Sequence, residues 1–294
     1  MLNRLPSVYL VFSLCLWLEI KADTHGPNSD KLKLLSRFCG VSVLDRIFQG
    51  QYAQIFRNPW IALLQYEHDG EIEHGCSGSL INNRYVLTAA SCLTNKTDVQ
   101  LLNIRLGELD KSQYQDCVSY GSDIAEKDCA EPADDYGVES IAIHPEYNQQ
   151  TFLNDIGLIR LNKNVTMHDN TSPICLPITA MQPPPTITRF TAIGWGTCGN
   201  RTGSNALLQS MLTSMDNVEC GREISEHQIC ATRYTGIDVG GPLATPMPHL
   251  HAGLRFVQLG VASGAVDSCA QDGYPGVYTR VSSYIEWILE TIEP

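Results

Sequence analysis

An all-β chain, a sandwich or barrel with one terminal helix, is the fold class this sequence predicts. Three features carry that reading: short runs rich in β-branched and aromatic residues, turn signals between them, and a helical apolar period confined to the last residues. The runs are WIALLQY from Trp60, YVLTAAS from Tyr85, LLNIRLGEL from Leu101, DIGLIRL from Asp155, FTAIGWG from Phe190, VQLGVAS from Val257 and GVYTRV from Gly276. Near the middle, the proline cluster from Met181 to Thr188 interrupts them and is the expected connection between two halves, within 176–188. At the end, Val281, Ile285, Ile288 and Ile292 fall on one helical face, so an amphipathic helix should pack on the sheet. With 294 residues, 43% of them hydrophobic and 18% charged, the chain can bury a large core.

The first 22 residues place Arg4 ahead of an apolar run from Val8 to Leu18 and end on Ala22, the pattern of a secretory signal peptide. The run is too short for the roughly 20 residues of a membrane span. Residues 23–46 are polar and read as a tail or pro-segment before a body at 47–294. Loss of Cys15 with the leader reduces 11 cysteines to ten, an even set suited to disulfides in an oxidising, extracellular compartment. A net charge of −12 argues against a nucleic-acid surface, and no short Cys-x-x-Cys pair points to zinc. Asn95, Asn164, Asn170 and Asn200 head glycosylation sequons.

Six motifs occur in a fixed order: RIFQG, CSGSLINNRYVLTAASC, NDIGLIRL, GWG, DVGGP and PGVYTRV. Together they resemble the trypsin-like (chymotrypsin-type, peptidase S1) serine protease family across Ile47 to Pro294. Within it, CGVSVLDRIFQG and the cysteine-containing stretch after Leu106 resemble the arthropod clip-domain branch, whose members act in immune and melanisation cascades. One pro-segment cysteine, Cys39, is too few for a clip domain, so only the linker following one is expected. The resemblance implies two six-stranded antiparallel β-barrels with a cleft between them, a C-terminal helix, and a Ser, His, Asp triad.

Two triad positions depart from that pattern. Ser91 stands where the histidine is expected and Val239 where the serine is expected; Asp155 alone is retained. Valine has no nucleophilic atom, and a hydroxyl is far too weak a base near neutral pH to replace an imidazole. Ile237 replaces a glycine whose amide the resemblance assigns to the oxyanion hole. Ser263, Gly264 and Ala265 replace a Ser-Trp-Gly or Ser-Phe-Gly substrate strand, and Arg233 falls near the specificity pocket of a shortened segment. A buried Asp155 then needs other partners, so the Ser91 and Ser263 hydroxyls are expected to donate to it, directly or through water.

The activation features persist as Arg46-Ile47, a site a trypsin-like protease cuts, and Asp238, which the resemblance pairs with the freed Ile47 amine. The bland alternative is an exposed arginine and a turn-capping aspartate. Family positions imply disulfides Cys39–Cys175, Cys76–Cys92, Cys117–Cys129 and Cys220–Cys230, with Cys198–Cys269 pairing the remainder. His144 matches a structural histidine. Glu108 and Asp110 occupy a loop where some relatives bind calcium, but solvated acids are expected; His249 and His251 read as surface decoration. No cofactor and no metal is expected. The reading is a secreted, non-catalytic homologue that binds extracellular proteins as a cofactor, decoy or regulator, with no nucleic-acid or membrane partner. Its rivals are a working endopeptidase with an atypical site and a module binding microbial surfaces or carbohydrate.

Overall fold

The computed structural model describes residues 30–35, 38–42, 47–48, 51–52, 54–94, 99–119, 127–178, 187–196, 203–216, 218–221, 223–232, 238–249, 253–263 and 275–294. The leader, Arg46, Asn95, Cys198, Asn200, Arg233, Ile237, Gly264, Ala265, His251, Cys269 and most of the inter-barrel connection lie outside them.

A short hairpin of β1 (Ile47–Phe48) and β2 (Gln51–Tyr52) precedes the body. The first barrel is built from β3 (Ile61–His68), β4 (Glu71–Leu80), β5 (Tyr85–Thr88), β6 (Val99–Leu106), β9 (Asp134–Ile143) and β10 (Gly157–Leu161). It is closed in the order β10-β5-β4-β3-β6-β9, which leaves no exposed strand edge. The disulfide-linked hairpin of β7 (Cys117–Ser119) and β8 (Lys127–Cys129) is inserted between β6 and β9. The first core holds Trp60, Leu63, Leu64, Leu87, Ile104 and Ile159, none more than 1% exposed.

The second half comprises β11 (Arg189–Gly194), β12 (Leu208–Thr213), β13 (Gln228–Ala231), β14 (Pro242–His249), β15 (Gly253–Ala262) and β16 (Gly276–Arg280). Its ladder order is β12-β11-β14-β15-β16-β13, an open sheet rather than a second closed barrel. The two edge strands nevertheless meet at the Ser214–Ala231 bridge, where Met215 N donates to Cys230 O at 2.9 Å and Thr232 N to Thr213 O at 2.8 Å. Across the two halves, Ser79 Oγ donates to Gln258 Oε1 at 2.5 Å, so neither buried polar group is left unpaired.

The terminal apolar face forms as the spacing predicts, with one adjustment. Val281–Tyr284 makes a 3-10 turn and only Ile285–Thr291 is α-helical (α2), while Val281, Ile288 and Ile292 are fully buried. Residues 30–35 and 38–42, within the segment expected to be a tail or pro-segment, are docked on the body. Lys31 Nζ donates to the Glu290 carbonyl at 2.6 Å, Leu35 enters the first core, and Gly40 is threaded between Pro173 and Phe256 by backbone hydrogen bonds of 2.8 and 2.9 Å. Gly40 has φ +64°, and a side chain there would meet the Phe256 carbonyl oxygen at 2.3 Å.

Candidate functional site

Strand register assembles the site. Gly157 pairs with Thr88 between β10 and β5, which brings Asp155 beside the short helix α1 (Ala90–Leu93) and Ser91 within it. A Cβ on Gly157 would lie 2.5 Å from Leu93 Cδ1, so the missing side chain lets α1 sit close. Asp155 is fully buried. Its Oδ1 accepts from Ser91 N at 2.7 Å, and its Oδ2 accepts from Ser91 Oγ at 3.0 Å and from Ser263 Oγ at 2.7 Å. Thr279 Oγ1 donates to the Asp155 backbone carbonyl at 2.8 Å. Both expected hydroxyl donors are therefore in direct contact, with no water required between them. Hydrogen bonds to a charged acceptor are the stronger kind, so these donors offset much of the cost of burying the carboxylate.

Sequence reasoning missed Thr279 and a fourth neighbour, Tyr147. Its hydroxyl is buried without a well-formed hydrogen bond among the described residues, although Ser91 lies near enough to stabilise the ionised form. Burial first, then the Asp155 charge, pushes the phenol up to about 12, so it stays protonated at neutral pH.

Val239 sits on a turn packed closely against β4 and β15. Gly240 has φ +82°, and a Cβ there would lie 2.2 Å from Thr88 Oγ1 and 2.3 Å from Ser77 O. Gly240 N donates to Ala262 O at 2.7 Å, and Ser77 N donates to Val239 O at 2.9 Å. The Val239 side chain packs partly against the first core. Asp238 beside it is 1% exposed and accepts on Oδ2 from Ser77 Oγ at 2.7 Å and Trp195 N at 2.8 Å. Gly194 makes room for this: a Cβ there would lie 2.7 Å from Asp238 N. The turn therefore presents an aliphatic side chain, with its acid satisfied underneath.

Four disulfides are present as the resemblance implies: Cys39–Cys175, Cys76–Cys92, Cys117–Cys129 and Cys220–Cys230. His144 stacks edge-on against Tyr284 at 5.2 Å and lies 5.2 Å from the Trp287 ring, while its Nδ1 accepts from Glu146 N at 3.3 Å. Burial holds its pKa below the usual imidazole range, so it is a neutral packing residue. Glu108 is not the solvated acid expected. It is 5% exposed, 3.5 Å from Arg105, and burial followed by the neighbouring Asp116 charge raises its pKa. Asp110 behaves as expected, accepting from Ser112 at the surface. No cluster of metal ligands occurs among the described residues. His249 is half-buried, and its Nδ1 has no hydrogen-bond partner among the described residues. Asn164 is exposed, whereas Asn170 is 4% exposed and donates through Nδ2 to Gly107 O and Glu131 O at 3.1 and 2.8 Å. A glycan on that nitrogen would displace both bonds, which weighs against modification there.

The paired β units, the buried acid, the glycine-held turn and the disulfides define a protein of the trypsin type. Residues 47–288 match the Trypsin family, and the chain belongs to it. Among curated proteins it is 39% identical over 271 residues to CLIP domain-containing serine protease B10 of Anopheles gambiae, covering 86% of this chain and 72% of that one. It is 36% identical to Melanization protease 1 of Drosophila melanogaster, covering 89% and 69%. Among solved structures it superposes on the drosophila Grass clip serine protease of the Toll pathway with a TM-score of 0.76 and 34% identity, covering 90% of this chain and 77% of that one. No helix among the described residues is long and apolar enough to cross a membrane.

Proposed function

We propose that this chain is a secreted, non-catalytic serine protease homologue that binds other extracellular proteins as a cofactor, decoy or regulator of a proteolytic cascade. One observation carries the reading: Val239, on a turn fixed by Gly240 and Asp238, offers no atom that can attack a carbonyl. Ser91 supports it, because its hydroxyl is committed to Asp155 at 3.0 Å and is too weak a base for the missing imidazole. In a comparable triad, losing nucleophile and base costs on the order of 10⁶ in rate. Relatives bearing the names of melanisation and Toll-pathway proteases support placement in an immune cascade.

Activation by cleavage belongs to the same reading. A cut after Arg46 frees the Ile47 amine, which competes with Ser77 and Trp195 for Asp238 and reorders the loops around the turn. The chain then keeps a protease's switch and delivers a binding surface instead of a bond-breaking site.

The test uses purified chain, intact and trypsin-treated, with N-terminal sequencing to establish the cut. A covalent serine-hydrolase probe and a chromogenic arginyl peptide are expected to register nothing in either form. Adding the chain to a purified cascade protease and its natural substrate is expected to change the rate of that reaction. Stoichiometric labelling by the probe would sink the reading.

A further inference from the structure

The seam between the edge strands β12 and β13 is held by the Thr232–Thr213 and Met215–Cys230 hydrogen bonds, and a cavity of about 350 Å³ opens beside it. Its rim comes from Ser214 and Met215 just after β12, from the turn that leads into Gln228 at the start of β13, and from Arg280 at the end of β16. That volume is at the lower end of the range for small-ligand pockets.

Arg280 brings a positive charge that the protein does not neutralise. Its Nε and Nη2 donate to the Glu226 and Gln228 carbonyls, each at 2.8 Å, and its amide donates to His227 O, also at 2.8 Å. The backbone of 226–228 thus wraps the residue and fixes the guanidinium, while Nη1 has no partner among the described residues. No carboxylate among the described residues comes within ion-pair distance of Arg280. The rim carboxylate, Glu226, is 89% exposed and lies 3.8 Å from His227 instead. Burial lowers the Arg280 pKa with no counter-charge to offset it.

The neighbouring side chains add donors. Gln228 is 7% exposed, and its Oε1 accepts from Ser225 N at 3.2 Å. A backbone N–H must meet the amide oxygen, so the nitrogen is the end left over, with both protons unpaired among the described residues. Ser225 Oγ accepts from His227 N at 3.1 Å and keeps its own proton to give, and Ser214 Oγ makes no hydrogen bond among the described residues. The rest of the wall is apolar: Met215 and Ile224 pack with the Cys220–Cys230 disulfide.

We infer that this cavity binds a small organic oxyanion, a carboxylate, sulfate or phosphate ester, whose charged end meets Arg280, Gln228 and the two serine hydroxyls while its apolar part lies on Met215 and Ile224. A neutral or cationic ligand leaves the guanidinium unmatched. Successive strand residues face opposite sides, so Arg280 points away from Asp155, which the adjacent Thr279 bonds. The site is separate from the Val239 turn and stands whether or not the chain is catalytic.

Isothermal titration calorimetry of the full-length chain at low salt tests this, with benzoate, phenyl sulfate and phenyl phosphate as probes and benzamide as the neutral control. At least one anion is expected to bind, the tightest of them naming the oxyanion, and benzamide is not. Gln228→Glu keeps an acceptor for Ser225 N but turns the free donor into a carboxylate that pairs with Arg280, and should weaken the anion at least about tenfold. Ser214→Ala removes a hydroxyl with no partner in the described protein; it should weaken the anion about three- to tenfold and leave thermal unfolding of the unliganded chain unchanged. If Gln228→Glu fails to fold, Ser214→Ala and benzamide decide. Failure of all three anions to bind, equal binding of benzamide, or full-strength binding by either folded variant would overturn the inference.

Discussion

Ser263 and Asp155, 108 residues apart, are joined by a 2.7 Å hydrogen bond that ties the end of β15 to the start of β10, shorter than the 3.0 Å bond Ser91 makes to the same oxygen. Ser263 thereby ties the second half to the first through the buried carboxylate that Ser91 also holds. Ser263→Ala leaves that buried acid short of a donor and is expected to cost about 1–3 kcal/mol of unfolding free energy in urea titration. A change within error would mean that water fills the position at no cost.

Gly240 and Gly70 form a matched pair for the presenting turn. Both have positive φ, +82° and +81°, but a Cβ at Gly240 strikes Thr88 and Ser77 while nothing lies within 4 Å of one at Gly70. Gly70→Ala is expected to cost only about 1–2 kcal/mol of left-handed backbone strain, and Gly240→Ala clearly more, by thermal or chemical denaturation. Equal losses would show that the turn is not pinned.

Val239→Ser alone should not create a peptidase. The new hydroxyl gains no general base from Ser91, so turnover of a chromogenic peptide is expected to stay roughly 10⁶-fold below that of an intact triad. Appreciable hydrolysis by this single variant would reveal a base not recognised in the site.

Leu35 tests whether the pro-segment belongs to the fold. It is 8% exposed and packs into the first core, so Leu35→Ala is expected to cost about 2 kcal/mol. An unaltered denaturation midpoint would return residues 30–35 to the status of a tail.

Glu108 gives a pH signature. Burial and Asp116 raise its folded pKa above the unfolded value, so the folded state binds the proton more tightly. Its contribution is fully present below the unfolded pKa, near 4.3, and is lost as pH rises through the folded value. Relative to wild type, Glu108→Gln is therefore expected to gain stability between pH 4 and pH 7, followed by urea titration across that range. A gap that stays flat, or narrows, would show that the Arg105 ion pair outweighs burial.

Much of the architecture was legible where the sequence carries β-branched and aromatic runs: β5, β10 and β16 fall within predicted runs, and β3, β6, β11 and β15 overlap theirs but begin earlier or end later. YVLTAAS was read one turn too far, because Ala90 and Ser91 already belong to α1. The β4 sequence EIEHGCSGSL was missed because its first half is exposed and its second half packs small residues against the neighbouring strand. β14 was hidden by Pro242, Pro246 and Pro248. β11 pairs with it only at Leu243 and Ala244, so Pro246 and Pro248, two residues apart, can both turn their nitrogens to the side β11 has left. At the site, Ser91, Asp155 and Ser263 were legible because ordered motifs fix their positions. Ser77, Trp195 and Tyr147 were not, since their roles arise only when distant strands converge. Glu108 was misread because nothing local in LGELD marks an acid as buried.

The threading of Gly40 between Pro173 and Phe256, locked beside it by Cys39–Cys175, governs what a proteolytic event would look like at the bench. A nick after Arg46 yields two polypeptides that cannot drift apart, so the sample migrates as one species until a thiol reagent is added. Only then does the shorter fragment run free on the gel, and a survey done without reductant would score the processed protein as untouched.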